Sequence, residues 1–477
     1  MSKIGVEIST TIRSGPTNDG PVSARFQIGA VTTGGPVDRS VLIRSIADYE
    51  SVYGSRAPYS VNAYDTARMF FEEGGSELIV SRVVGPAAAK DQLILMDGST
   101  VETIRVEAVN PGANIVPLRA AVAVDAGTVT LTISQGGVSL ARFIGTSVAD
   151  LVAASATSSL VNLIDLGSAT AAPGNLPAQI AATDLTGGTD DRANITADHV
   201  IAAMKLAGEL GEGGAVATPG YPVTVIGHLL SDYAKSTNRI ALLSPEISVT
   251  AEDVMVLAKD YVSDSAGLFY GHAVIPDGSG TRTLSPEGYI AAVRARAHNQ
   301  FGYWRKPFGD IAQTQWIVGT NVPVNTDLNN RLNDAQVNGI VTTGTKVRLY
   351  GWSSLASNPE MSALSDRDVL NNLGRELKAI LEPYVGAPID GLGHLQGRVE
   401  SEVEGLLAPI SDAGGFFALT RDEEEVDPGY RVIVDQSNNP LSQLAQNVLN
   451  VTVMVRLSPT ADLIKVEIIK VPLQGTF

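Results

Sequence analysis

The chain has 477 residues, of which 44% are hydrophobic and 18% charged, so it lies far from disordered compositions and has room for several domains of about 150 residues. It has no cysteine, which excludes disulfide staples, thiolate metal sites and cysteine nucleophiles. Thirty-four basic against 51 acidic residues give a net charge of -17, and that field repels phosphate backbones, so nucleic acid is not an expected partner.

The N-terminal segment lacks the basic and apolar regions of a signal peptide, and no window approaches the roughly 18 uncharged apolar residues of a membrane span. Membrane insertion is therefore not expected. Residues 1–44 carry five basic and three acidic side chains and residues 440–477 three and two, so the acid is concentrated between them. From Lys3 to Ile12, Ile4, Val6 and Ile8 alternate with Gly5, Glu7 and Ser9, a period of two that predicts a strand with one β-branched face. The turn-rich Ser14–Pro21 then separates this strand from the body as an arm.

Residues 39–84 predict a βαβ unit: strand Val41–Ile43, a helix over Tyr59–Phe71 stopped by Gly74 and Gly75, and strand Glu77–Val84. From residue 86 the pattern changes to short alternating runs, Thr103–Val109 and Val129–Ile133 among them, set in Ala, Gly, Ser and Thr. This predicts an inserted β-rich domain that ends at Leu185–Asp191. α/β alternation then resumes with strand Ile240–Leu243, helix Ala251–Asp264, strand Gly267–Ile275, helix Pro286–Asn299, strand Lys346–Gly351 and helices Asp366–Glu382 and Leu395–Leu407. The βαβ unit and this later half are expected to share one sheet. Near the end, Val451, Val453 and Val455 alternate with polar residues, and after Pro459 so do Ile464, Val466 and Ile468; a proline breaks a ladder, so the last run is free to pair elsewhere.

Chemical signatures are weak. The five histidines, His199, His228, His272, His298 and His394, show no metal-binding spacing. Gly339–Lys346 has the wrong residue order for a phosphate loop and leads into a strand, so it reads as a hairpin turn. Gly391–Gly397 is a loose dinucleotide pattern with no strand before it, and Asp422–Asp427 lacks the ligand spacing of a calcium loop. Asn299–Gly309, the densest aromatic stretch, reads as a core or loop plug, with a binding site as the alternative, and no cofactor is implied.

The order of several segments resembles contractile tail sheath proteins. They are Gly5-Val-Glu, Ile43–Gly54, Phe70–Gly75, Val80–Val83, Leu185–Gly188, Arg239–Pro245, Gly302–Pro307, Leu332–Ile340, Leu349–Trp352 and the tail from Val451 to Lys470. The resemblance implies a non-enzymatic subunit of a virion tail, assembled in the host cytoplasm. It would polymerise into stacked rings around a tail tube protein, with baseplate and tail terminator proteins as further partners, and shorten to drive the tube through a target envelope. It implies a mixed α/β fold: an N-terminal arm (1–23), a discontinuous core (24–85 and 191–355), an inserted outer domain (86–190) with few inter-subunit contacts, an inner domain facing the tube (356–459) and a C-terminal arm (460–477). Ile4, Val6, Ile8, Val451, Val453, Val455, Ile464, Val466 and Ile468 are the candidate inter-subunit strands. Arg375 and Lys378, three residues apart on one helix, are the candidate tube-facing cations. Gln436–Asn447, implied to lie near the tube, carries no charge. An α/β enzyme, such as a hydrolase with dispersed catalytic residues and extended oligomerisation arms, is the alternative.

Overall fold

The computed structural model describes residues 21–112, 116–343, 346–421 and 424–462. The chain divides into two compact units, Met1–Gln300 with Pro307–Arg367 and Phe301–Lys306 with Asp368–Phe477.

The first unit begins with β1 (Phe26–Ala30), β2 (Val41–Ile43), α1 (Ile46–Tyr53), α2 (Val61–Glu72) and β3 (Leu78–Arg82). The insertion follows: β4 (Lys90–Met96), β5 (Glu102–Pro111), β6 (Leu118–Asp125), β7 (Thr128–Gln135), β8 (Val138–Gly145), α3 (Val148–Ser155), β9 (Val161–Asp165) and β10 (Ile180–Asp184). The chain then returns through α4 (Ala197–Lys205), β11 (Ala215–Ala217), α5 (Val223–Ser236), β12 (Ile240–Leu243), α6 (Ala251–Leu257) and β13 (Ala266–Tyr270). After these come β14 (Ala273–Asp277), β15 (Gly280–Leu284), α7 (Glu287–Phe301), β16 (Gly319–Thr320), α8 (Thr326–Asp334), β17 (Val337–Thr343) and β18 (Lys346–Leu349).

Eight strands form one sheet in the order β18-β17-β13-β12-β11-β1-β3-β2. β3, β1, β11, β12, β13 and β17 run parallel, and β2 and β18 close the edges antiparallel. Parallel strands covered on both faces read as unbroken apolar runs, as β12 (Ile-Ala-Leu-Leu) does, and every residue of β1, β3, β11, β12 and β13 is buried. One face packs on α2 and α7, the other on α4, α5 and α6. Gly29 permits the second packing, because a Cβ there would lie 2.6 Å from Met204 Cγ of α4.

The shared sheet matches the sequence reading; the predicted βαβ unit does not. Val41–Ile43 pairs antiparallel with β3, and the parallel partner is β1, whose Phe-Gln-Ile-Gly-Ala breaks the expected apolar run with Gln27. Gln27 is buried because Ser81 and the Met204 carbonyl satisfy its amide. The predicted strand Gly267–Ile275 is two strands, β13 and β14, separated at Gly271, whose φ of +107° turns the chain out of the sheet. α6 ends at Leu257, short of the predicted Asp264, and passes into a 3-10 turn.

Two further sheets, β10-β6-β7-β8 and β4-β5-β9, make the insertion. They enclose their own core, which includes Ile104, Val106, Leu131, Ile133 and Phe143, together with Val148 and Leu151 from α3. α3, absent from the sequence reading, is fixed by a capping box between Ser147 and Asp150.

The second unit contains α9 (Leu364–Leu381, which starts in the first), α10 (His394–Asp412), β19 (Leu419–Arg421), β20 (Glu424–Asp427), β21 (Tyr430–Ile433), α11 (Leu441–Leu444) and β22 (Thr452–Val455). Its core comprises Val369 and Leu373 from α9, Leu395, Val399, Val403 and Leu407 from α10, and Phe416, Val432 and Val434. Tyr303 joins this core, and Trp304 packs against it. The aromatic stretch is thus the plug of a core far along the chain.

Candidate assembly surfaces

Ile4, Val6 and Ile8 and also Ile464, Val466 and Ile468 lie outside the described residues. The third candidate strand is described, and it is not free. β22 pairs antiparallel with β21 of its own chain, Val453 opposite Val432 and Val455 opposite Tyr430. Val451, Val453 and Val455 are half-buried against the core of the second unit. Val451, Val453 and Val455, given as a candidate inter-subunit strand, thus belong to a strand with one partner in its own chain. β21 and β22 form a two-stranded sheet.

An amide network fixes the uncharged segment ahead of β22. Asn450 N–H donates to Asn439 Oδ1 at 2.6 Å, Asn439 Nδ2 donates back to the Asn450 carbonyl at 2.9 Å, and Asn438 Nδ2 donates to the Ile433 carbonyl at 2.6 Å. These asparagines replace strand hydrogen bonds where the chain leaves β21 and re-enters at β22. Leu441 in the intervening α11 is 84% exposed. Residue 456 closes the sheet from below: Arg456 Nη2 donates to Asp427 at 3.0 Å, and Asp427 is held below the usual carboxylate range first by the Gly429 N–H and then by this arginine.

Arg375 and Lys378 stand on α9. Arg375 is half-buried and its Nη2 lies 3.3 Å from Glu376 Oε1, so part of its charge is neutralised in place. Glu376 also accepts from Tyr303 Oη at 3.0 Å. Burial, with the carboxylate beside it, raises the phenol pKa. Lys378 is exposed. Lys306 Nζ meets Asp462 at 2.7 Å and anchors the last described residues to the second unit.

The neck of the insertion holds a buried ion pair that sequence reasoning missed. Arg82, at the end of β3, donates to Asp190 at 2.7 Å and to the Gly35 carbonyl at 2.6 Å, with both charged side chains almost completely buried. Arg192 adds a second contact to Asp190 at 2.9 Å. Burial pushes the Arg82 guanidinium down and Asp190 opposes that shift. The signal was present in an acidic pair, Asp190 and Asp191, exactly where the inserted chain returns, but an arginine 108 residues away cannot be matched to it without the fold.

The enzyme alternative meets the fold at a cleft of the first unit. At the carboxyl ends of β11, β12 and β13, where open α/β sheets hold ligands, a cleft of about 360 Å³ is lined by Tyr221, Ser244, His272 and Ser285. Ser244 Oγ donates directly to the buried Glu287 carboxyl, which burial drives above its ordinary pKa. His272 is pushed down to about 4 by burial, and its ring bonds the Pro245 carbonyl. A triad requires the imidazole between hydroxyl and acid; here the hydroxyl goes straight to the acid, and no hydrogen bond links Ser244 to His272 among the described residues. Gly391–Gly397 leads from a loop into α10, with no strand before it. Among the described residues no group of three or more His, Cys, Asp or Glu is placed to hold a metal ion, and no helix is long and apolar enough to cross a membrane.

No family model matches the sequence, and no curated protein matches it. Solved structures do. A sheath tail protein from Listeria innocua aligns over 87% of this chain and 89% of its own, with a TM-score of 0.62 at 13% identity. A chain of the anti-feeding prophage baseplate aligns over 99% and 100%, with a TM-score of 0.60 at 15% identity. A chain of the contracted sheath complex of an extracellular contractile injection system aligns over 100% and 99%, with a TM-score of 0.54 at 13% identity. The fold, over nearly the whole chain, is that of contractile sheath proteins.

Proposed function

We propose that this protein is a structural sheath subunit that polymerises into stacked rings around a tail tube and shortens to drive the tube through a target envelope. The observation that carries the reading is the extent of the likeness: both units and the insertion align with chains from sheath and baseplate assemblies, one of them contracted. Assembly partners are further copies of this chain, a tail tube protein, and baseplate and terminator proteins, all within a tail particle. The open edge of the β21–β22 sheet is where a neighbour's strand adds, and the alternating runs at Ile4–Ile8 and Ile464–Ile468 are the donors. Head-to-tail donation of this kind builds rings or helices. Body-to-body contacts then change on contraction while the strands stay joined, with Gly15–Pro21 and Ser458–Pro459 as hinges.

Negative-stain microscopy of the purified chain tests this directly. Tubes are expected; a discrete dimer or tetramer at every concentration would favour the enzyme reading instead. Replacing residues 86–190 with a short Gly/Ser linker is expected to leave tube formation intact, because the insertion has its own core and this reading assigns it to the outer radius. Loss of tubes with the remainder folded would overturn the peripheral placement.

A further inference from the structure

The two sides of the large sheet present unlike surfaces. On the side of α5, α6 and α8, exposed acids outnumber exposed bases: Asp232, Glu252, Asp253, Asp260, Asp327 and Asp334 stand against Lys235, Lys259 and Arg331. Arg331 is already held by Glu252 at 3.0 Å. Apolar side chains lie among these charges. Val225 and Leu229 are exposed one turn apart on α5, and His228 beside them stacks on Tyr261 with ring centroids 4.6 Å apart, which brings Val262 alongside. Val256 is exposed on α6, and Val225, Val256 and Val262 are each more than half accessible. Helices that only cover a sheet turn polar residues outward, whereas apolar surface rimmed by charge marks a contact.

On the side of α2 and α7 the sign reverses. Arg68 of α2 lies over Trp316, 5.2 Å from the ring centroid, and Arg348 of β18 lies over Tyr350 at 5.2 Å. Arg296 of α7 runs beside Gly74 and donates to the Gln313 carbonyl at 3.1 Å. Thr314 N–H donates to the Val347 carbonyl at 3.0 Å, so the exposed Lys346 at the start of β18 belongs to the same surface. Little acid opposes these four cations. Glu73 is buried, its carboxylate taken up by the N–H groups of Gln315, Trp316 and Ile317, which leaves Glu72 at 3.6 Å from Arg68 and Asp310 at 2.8 Å from Arg348. Val318 and Tyr350 are exposed within this surface.

We propose that the acidic face of α5 and α6 in one subunit docks on the Arg68–Trp316–Lys346 surface of a second copy. The charges are complementary, and each surface sets exposed apolar side chains among them, so the valines of one copy have Trp316 and Val318 of the next to cover them. Position fits as well. The two surfaces lie on opposite sides of one sheet, so the contact is heterologous, cannot close into a dimer through a shared patch, and stacks copies in series. This rests on the head-to-tail assembly proposed above and names a body-to-body contact within it. The insertion takes no part, in keeping with its expected dispensability. A contact built on opposed charge weakens with salt, unlike one built on strand pairing alone.

A charge swap in the full chain tests the joint. Arg68→Glu with Lys346→Glu reverses one surface, and Asp232→Lys with Asp260→Lys reverses the other; all four side chains are exposed, and thermal melting checks that each variant folds. Either pair alone sets like charges face to face and should raise the concentration needed for tubes at low salt by about tenfold or more. The chain carrying all four substitutions keeps the net charge of -17 and should form tubes at the wild-type concentration again. Val256→Asp adds acid to the apolar centre, leaves both charged rims as they are, and should weaken assembly by itself. Unimpaired assembly of either pair variant or of Val256→Asp overturns the proposal, as does a folded fourfold variant that fails to recover. Wild-type chain imaged in parallel keeps the outcomes separable: no tubes from it would sink the sheath reading, whereas tubes indifferent to these substitutions sink this joint alone.

Discussion

The two units are held together by different means. The first is a doubly wound sheet whose central strands are buried on both faces, so most of its stability comes from area removed from water. The second has a smaller core, recruits Tyr303 and Trp304 from a distant stretch, and fixes its sheet with asparagine amides and the Arg456–Asp427 pair. The difference teaches where change is tolerated. A core that rests on area is damaged most by truncating its apolar side chains, whereas a small core with polar ties depends on segments being present in the right place.

The largest effect is expected at the end of the chain. Deleting residues 460–477 should leave a soluble, largely folded monomer that no longer forms tubes, because the lost run is assigned to a neighbour's sheet. Native size-exclusion and microscopy read both halves of that outcome. Tubes from the truncated chain, or global unfolding at low temperature, would mean that the segment acts elsewhere or within its own subunit.

Next is the buried ion pair at the neck of the insertion, Arg82 with Asp190. Asp190→Ala leaves the Arg82 guanidinium buried without its carboxylate, and such breaks cost about 3–5 kcal/mol. Thermal melting should show the loss in the first unit, with the Arg82→Met, Asp190→Leu pair recovering much of it because no charge then remains unpaired. A loss from Asp190→Ala below about 1 kcal/mol would show that the pair is hydrated in solution.

How much of this was legible beforehand follows the same division. The α/β class and the run Ile240–Leu243 could be read because burial on both faces writes itself as local apolar pattern. β1 was missed because Gln27 interrupts its pattern and is satisfied by residues far along the chain, Ser81 and Met204. The in-chain partner of β22 was missed for a related reason: alternation shows that one face is buried, and cannot say whose sheet buries it. Arg82 with Asp190 needed the fold itself.

Acid should separate the units further. His272 is held at about 4 against an ordinary 6.5, so between those values the unfolded chain takes up a proton that the folded chain refuses. Stability from this group is therefore full above 6.5 and falls as pH drops toward 4, by up to about 1.4 kcal/mol per pH unit. Buried His298 acts in the same sense. Glu287 opposes them, since its raised pKa gives stability that is complete below 4.5 and fades as pH rises. The single histidine of the second unit, His394, is exposed beside Asp390. His272→Gln should flatten the pH dependence of the first unit's melting between 6.5 and 4 and leave the second unit's unchanged; an unaltered slope would mean the ring is solvated.

The smallest effect concerns the surface of α9. Surface ion pairs are worth about 0–1 kcal/mol each and are screened by salt, so Arg375 and Lys378 can matter only by repetition along a lattice. Arg375 already faces Glu376, which is itself held by Tyr303, and its approach to a tube carboxylate must compete with that contact. Lys378 stands exposed on the same helix. The Arg375→Glu, Lys378→Glu pair should weaken sheath assembly around its tube at low salt, and the deficit should shrink as ionic strength rises. Assembly that is undiminished and insensitive to salt in the double variant would remove both residues from the tube interface and leave the second unit's uncharged loop, with its exposed Leu441, as the surface to examine.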